Sequence, residues 1–221
     1  MNKREPIFNF TEPGPVRFAG LLVLLHAVFT LTPLARNALV GDVLILRPAA
    51  FSEGLNWLAV GGHAFAHGSW SHVLLNAMML IVFAIPTIRG LRARRVKEGV
   101  ASDRTWLWLV IFFGGVVAGA FAQWGWWAVA EITGLEDTAY QSAVGASGGV
   151  SALFAAAGWA IGGRSGMVRF GVAWALINLL MVVFESLLGV GIAWAAHLGG
   201  FLGGMLLAPR WVEPFSTRMG L

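Results

Sequence analysis

Residues 145–163 read GASGGVSALFAAAGWAIGG, a serine set among glycines and followed by a run of small apolar side chains. The run carries no charge. Its small residues let neighbouring helices approach closely on every side. From Gly148 to Gly162 it offers about 15 residues, short of the ~20 a helix needs to cross a hydrocarbon layer. The pattern predicts a short, central helix that begins below a membrane surface. Irregular backbone at such depth is tolerated only beside protein or a water-filled cavity, so Ser147 is expected at the helix start, facing one.

The rest of the chain agrees with a membrane setting. Of 221 residues, 57% are hydrophobic and 12% are charged, with a mean hydropathy of +0.74. A soluble domain carries roughly a quarter charged residues. Eleven tryptophans and 29 glycines fit a polytopic membrane protein, with Trp anchoring at interfaces and Gly permitting close helix approach. The absence of cysteine excludes disulfides, thiolate nucleophiles, iron–sulfur clusters and Cys-type zinc sites. A net charge of +4 does not mark a nucleic-acid binder. The first fifteen residues are polar and proline-broken, and no small-x-small cleavage site follows, so the first hydrophobic segment is expected to be retained.

Six spans are read near Val16–Leu34, Trp70–Ile88, Trp106–Val129, Ser147–Gly162, Val168–Leu188 and Val190–Ala208. The last two adjoin at a tight turn around Gly189 and Gly191. The segment Ala35–His63 is too polar to span, yet rich in Leu, Val and Trp, and is expected partly in the interface. Basic residues fall in alternate connections: Lys3, Arg4 and Arg17; Arg89, Arg92, Arg94, Arg95 and Lys97; Arg164 and Arg169; Arg210 and Arg218. The opposite connections carry Asp42, Glu53, Glu136 and Asp137. Cytoplasmic placement of both termini satisfies all four basic segments. Trp106 and Trp108 at one end of span three, and Trp124, Trp126 and Trp127 at the other, read as interface belts. The predicted fold is an all-α membrane protein, a six-helix bundle with a short central fourth helix. Its divisions are 1–15 (cytoplasmic segment), 16–208 (membrane domain) and 209–221 (cytoplasmic tail).

The chemistry gathers at the outer end. An activated serine needs a base within hydrogen-bond reach and donors aimed at a developing oxyanion. His197, about five residues below the outer end of span six, matches Ser147 in depth. Around it AAHLGGFLGG supplies two overlapping G-x-x-x-G pairs, Gly199/Gly203 and Gly200/Gly204, with span four the natural partner. The helix start at Ser147 adds free backbone N–H groups suited to negative charge. On span two, HAFAHGSWSHVLLN places His63, His67, His72 and Asn76 at or just inside the outer end. His72 and Asn76, spaced i, i+4, share one helix face and are candidate oxyanion donors.

H-x-x-x-N on span two, G-x-S-G opening span four and A-H-x-x-G on span six resemble the rhomboid intramembrane serine proteases, over most of Val16–Ala208. The resemblance implies a Ser–His dyad without a carboxylate, with Ser147 as nucleophile and His197 as general base. It implies an oxyanion hole from His72 and Asn76, helped by main-chain amides near Gly145 and Ser147, and a cavity framed by His63 and His67. It makes Ala35–His63 a membrane-embedded first loop and span five, with its loop, a lateral gate. Two positions differ from the common family pattern. No Trp-Arg pair lies between Ala35 and His63, and Ser151 stands where an aromatic residue often stacks on the catalytic imidazole.

Other readings are weaker. The stretch also fits G-x-S-x-G, but the strand–helix alternation of an α/β-hydrolase is missing. His63-Ala64-Phe65-Ala66-His67 lacks the glutamate of H-E-x-x-H, so no metal is expected. His26, midway along span one, has no evident axial partner for haem and reads as a packing residue. Glu185 near the outer end of span five is a possible gate residue. Gly114, Gly115 and Gly119 on span three read as packing positions. No cofactor is implied, since serine and imidazole suffice. The expected partners are transmembrane protein substrates and the lipid bilayer, and the expected location is a bacterial inner membrane. The non-enzyme rival is an inactive scaffold of the same fold that binds transmembrane clients.

Overall fold

The computed structural model describes residues 12–50, 56–134, 142–188 and 191–215, apart from the side chains of residues 35, 36, 38, 42 and 185–188. Glu53, Glu136, Asp137 and Gly189, and the side chains of Asp42 and Glu185, therefore lie outside the description. Within it the protein is helical, with one isolated antiparallel bridge between Leu46 and Ala143.

Helix α1 (Pro13–Leu31) opens on prolines, whose missing N–H costs nothing in a first turn. Helix α2 (Trp70–Glu98) is capped by Ser69, whose side chain accepts from the His72 amide at 3.2 Å, and closes on Gly99 at φ 64°. It outruns the predicted end at Ile88 by ten residues. Hydropathy stops at the arginines, but arginine, lysine and glutamate are good helix formers, so the helix continues beyond its apolar part. Helix α3 (Leu107–Thr133) follows an Asx turn in which Thr105 N–H donates to Asp103 at 2.9 Å; that bond holds the Asp103 carboxyl below its usual range.

Helix α4 (Ser147–Leu188) bends back on itself at Gly162 and Gly163. Gly163 has φ 56° and ψ −141°, a conformation that only glycine adopts without strain. The limbs, 147–161 and 164–188, are the predicted spans four and five. They touch closely where the first lacks side chains: a Cβ on Gly166 would stand 2.2 Å from the Gly158 carbonyl oxygen. The first limb is about 22 Å long at ~1.5 Å per residue. From 150 to 158 every residue on it is buried.

Helix α5 (Trp194–Trp211) begins four residues later than predicted and ends three later. Gly191, Ile192 and Ala193 are non-helical, with Trp194 N–H turned onto the Ile192 carbonyl at 2.8 Å. Pro209 sits near the helix end, where its missing N–H removes one late bond rather than breaking a long ladder. The two predicted glycine pairs serve two different neighbours. A Cβ on Gly200 or Gly204 would strike the first limb of α4, at 2.2 Å from Gly148 O and 2.3 Å from Ala152 O. On Gly199 or Gly203 it would strike α3, at 2.3 Å from Ala122 Cβ and 2.9 Å from Ala118 Cβ. Helix α5 is thus seated against α3 as well as the first limb of α4. The α3 glycines meet the same packing: Gly115 faces Ala152 and Gly148, Gly119 faces the Ala196 carbonyl, and Gly114 faces Leu207.

One expectation about tryptophan needs correction. Trp106 is 57% exposed, as an interface anchor is, but Trp108 is 4% exposed and sits edge-on to Phe18 at 5.8 Å. Residues two apart on a helix point to nearly opposite sides, so only one of the pair can face outward. Similarly, Trp126 is turned onto Trp194 at 4.8 Å.

Contacts gather the described chain ends at one end of the bundle. Arg92 of α2 pairs with Glu12 just before α1, and Lys97 meets Glu213 just after α5 at 2.7 Å. Among the described residues, Pro13–Leu31, Trp70–Glu98, Leu107–Thr133 and Ser147–Phe184 are long and apolar enough to cross a membrane.

Candidate active site

The backbone before Ser147 is held from three sides. Leu46 and Ala143 exchange N–H···O bonds of 3.0 and 2.8 Å, so the loop after α1 is laced to the strand-like approach to α4. That loop is in turn ordered by Asn56, which is 3% exposed; its Nδ2 donates to Ile45 O at 2.9 Å and its Oδ1 accepts from Arg47 N at 3.2 Å. A buried amide with donor and acceptor both engaged holds this part of the loop in place. Next, Gly145 N–H donates to the His63 carbonyl at 2.9 Å, and Ala146 N–H donates to His67 Nε2 at 3.3 Å. His63 directs its own Nδ1–H to Ala59 O at 2.7 Å. His63 and His67, both expected to frame a cavity, fasten the loop that leads to Ser147, and of the two His67 lines the cavity described below.

Gly145 has φ 112°. A Cβ there would stand 2.7 Å from His72 Cε1 and Nε2 and 3.7 Å from Asn76 Nδ2. The side chains of His72 and Asn76 thus lie against the backbone two residues before Ser147. Asn76 is buried and spends one N–H on the His72 carbonyl at 3.1 Å, which orients its amide. The Gly145 amide, read from sequence as an oxyanion donor, is already used by His63; Gly145 contributes its missing side chain instead. The first α4 bond of this ladder runs from Val150 N to Ala146 O at 3.0 Å, so the Ser147, Gly148 and Gly149 amides lie in the helix's unpaired first turn.

His197 approaches from α5. The backbones on either side of the candidate pair are in contact: a Cβ on Gly148 would lie 3.6 Å from the Ala196 carbonyl oxygen. His197 is 7% exposed, and its Nδ1 is 3.0 Å from Asn178 Oδ1 on the second limb of α4. Among the described residues no hydrogen bond joins Ser147 Oγ to His197. Ser151 does not reach the imidazole. It is fully buried and donates to the Ser147 carbonyl at 2.6 Å, while Trp174 supplies an aromatic ring 6.2 Å from the His197 ring.

A cavity of about 230 Å³ opens beside this cluster, lined by His26, Thr30, His67, Ser69 and Trp70 among others. His26 is buried and edge-on to Trp70 at 4.8 Å, a packing role with one side on that cavity. His67 Nδ1 is buried without a partner among the described residues. No group of three His, Asp or Glu side chains among the described residues converges to hold a metal.

A family model described as Rhomboid domain matches residues 55–213, most of the chain and every element just named except α1 and the loop before Leu55. The protein belongs to the rhomboid family. That family includes intramembrane serine proteases as well as inactive members, so membership carries the fold and the membrane setting with it. No curated protein matches this rhomboid closely enough to serve as a relative. Sequence reasoning missed two residues of the site, Asn56 and Asn178. Their one signal was an amide side chain standing in largely apolar surroundings.

Proposed function

We propose that this rhomboid is an intramembrane serine endopeptidase with Ser147 as nucleophile and His197 as general base. The observation that carries the reading is the convergence at the start of α4. Its unpaired amides, the Gly145 backbone against His72 and Asn76, and the Gly148–Ala196 contact support the reading, since they set the elements that carry the serine, the donors and the imidazole against one another. His197 Nε2 takes the Ser147 proton as Oγ attacks the scissile carbonyl. The imidazolium then protonates the leaving amine. His72, Asn76 and the first-turn amides hold the oxyanion, and water completes deacylation.

The substrate is a transmembrane segment of another protein that enters sideways past span five. A helical peptide bond is internally hydrogen-bonded, so helix-weakening residues beside a small-residue cleavage site favour attack. Six crossings, both termini in the cytoplasm and a bacterial inner membrane complete the proposal. Glu185 is retained as a gate residue. Labelling of purified protein by a fluorescent fluorophosphonate tests it. Wild type is expected to label, and Ser147→Ala and His197→Ala are not. A folded wild-type protein that stays unlabelled in both detergent and lipid would favour an inactive client-binding scaffold instead.

A further inference from the structure

Asn178 lies midway along the second limb of α4, where the sequence is otherwise apolar from Gly171 to Phe184, and its side chain is 4% exposed. It makes two bonds. Its Nδ2 donates to the Trp174 carbonyl at 2.9 Å, and its Oδ1 stands 3.0 Å from His197 Nδ1. The first bond determines the chemistry of the second. Turning the amide over would set Oδ1 against the Trp174 carbonyl oxygen, two acceptors at hydrogen-bond distance with no proton between them. The amide is therefore fixed with its oxygen toward the imidazole. An oxygen can only accept, so Nδ1 of His197 must carry a proton. A neutral imidazole has one N–H, which leaves Nε2 as the bare nitrogen.

We infer that Asn178 is a positioning residue that holds His197 in the Nδ1–H tautomer and aims its Nε2 lone pair at the serine. This rests on the dyad reading and deepens it. The dyad needs no carboxylate because a neutral amide oxygen performs the orienting task. Asn178 Oδ1 accepts from Nδ1–H in both the neutral and the protonated states of the ring, and more strongly in the second, so the hold persists while His197 acts first as base and then as acid. The same limb places Trp174 one turn earlier, near the same ring. Both supports of the base thus come from span five, the span read as the substrate gate.

The test is the ring-nitrogen NMR spectrum of protein labelled with ¹⁵N-histidine, with His197→Ala assigning the resonances of that residue. At neutral pH wild-type His197 is expected to show a protonated Nδ1 and an unprotonated Nε2, and Asn178→Leu is expected to lose that single tautomer. Fluorophosphonate labelling is read in parallel. Asn178→Leu is expected to slow it by roughly 10²-fold or more, while Asn178→Asp, which keeps an acceptor, stays within roughly tenfold of wild type. A wild-type His197 with its proton on Nε2, or an unchanged tautomer and rate in folded Asn178→Leu, would overturn the inference. Should the leucine variant not fold, the wild-type spectrum and the aspartate variant still decide. If wild type does not label at all, the dyad reading falls while the spectrum still decides the tautomer. If Ser147 labels but the tautomer is wrong, only the role of Asn178 falls.

Discussion

At the scale of single residues, the site depends on places where side chains are missing as much as on those present. Gly145 combines a backbone conformation closed to other residues with contact against His72. Gly145→Ala is expected to displace the His72 ring and slow fluorophosphonate labelling by roughly 10²-fold, the loss associated with removing one oxyanion donor. Far-UV circular dichroism should stay near wild type. A pH prediction follows from the base itself. Nε2 must be unprotonated to accept the serine proton, so labelling is expected to fall as pH drops through the imidazole's own titration. A rate that rises as pH drops through that titration would count against His197 as the base. Ser147, His197, His72 and Asn76 could be nominated from sequence because their spacing and depth are properties of single helices. Asn178 could not, because which helix it faces depends on the reversal at Gly162 and Gly163. Its pairing with His197 is set by the packing of two limbs on a third helix, which no local pattern encodes.

At the scale of elements, helix α5 works as a wedge with two bare faces. Gly200 and Gly204 seat it on the first limb of α4, and Gly199 and Gly203 seat it on α3. Gly200→Ala would set a methyl group 2.2 Å from the Gly148 carbonyl, so α5 must shift away from the start of α4. Overpacking of this kind costs about 1–3 kcal/mol, and a lower thermal midpoint in detergent together with slower labelling is expected. Gly125→Ala, on an α3 surface with nothing within 4 Å, should leave labelling unchanged. The sequence read the small-residue code correctly but named one partner where there are two. Helix ends were less legible. Apolar content marks where a membrane would end, whereas α2 runs on through residues that favour helix in water, and α5 starts late after Gly191. Trp108 was misread for a related reason: position near a helix end does not tell which side of the helix a residue occupies.

At the scale of the whole molecule, the loop after α1 and the start of α4 form one end, and the described chain ends form the other. The ion pairs at the second end, Glu12 with Arg92 and Glu213 with Lys97, lie at or near the surface, where each such pair is worth about 0–1 kcal/mol. Their value is in fixing where the ends sit. Because the chain has no cysteine, a single introduced thiol reports sidedness directly. Ser102→Cys, between α2 and α3, and Ser142→Cys, just before the serine loop, are both exposed positions. A membrane-impermeant maleimide added to sealed inverted vesicles should modify the first and spare the second. This expectation comes from the arginine distribution, since the basic connections alternate along the sequence.

The most direct measurement is cleavage of a single-span substrate, carrying small residues beside a helix-weakening pair, after co-reconstitution with this rhomboid in liposomes. The account predicts one cut within the apolar segment, located by mass spectrometry, that vanishes in Ser147→Ala and in His197→Ala. A cut that persists in Ser147→Ala, or an intact substrate beside folded wild-type protein whose serine labels, would contradict it.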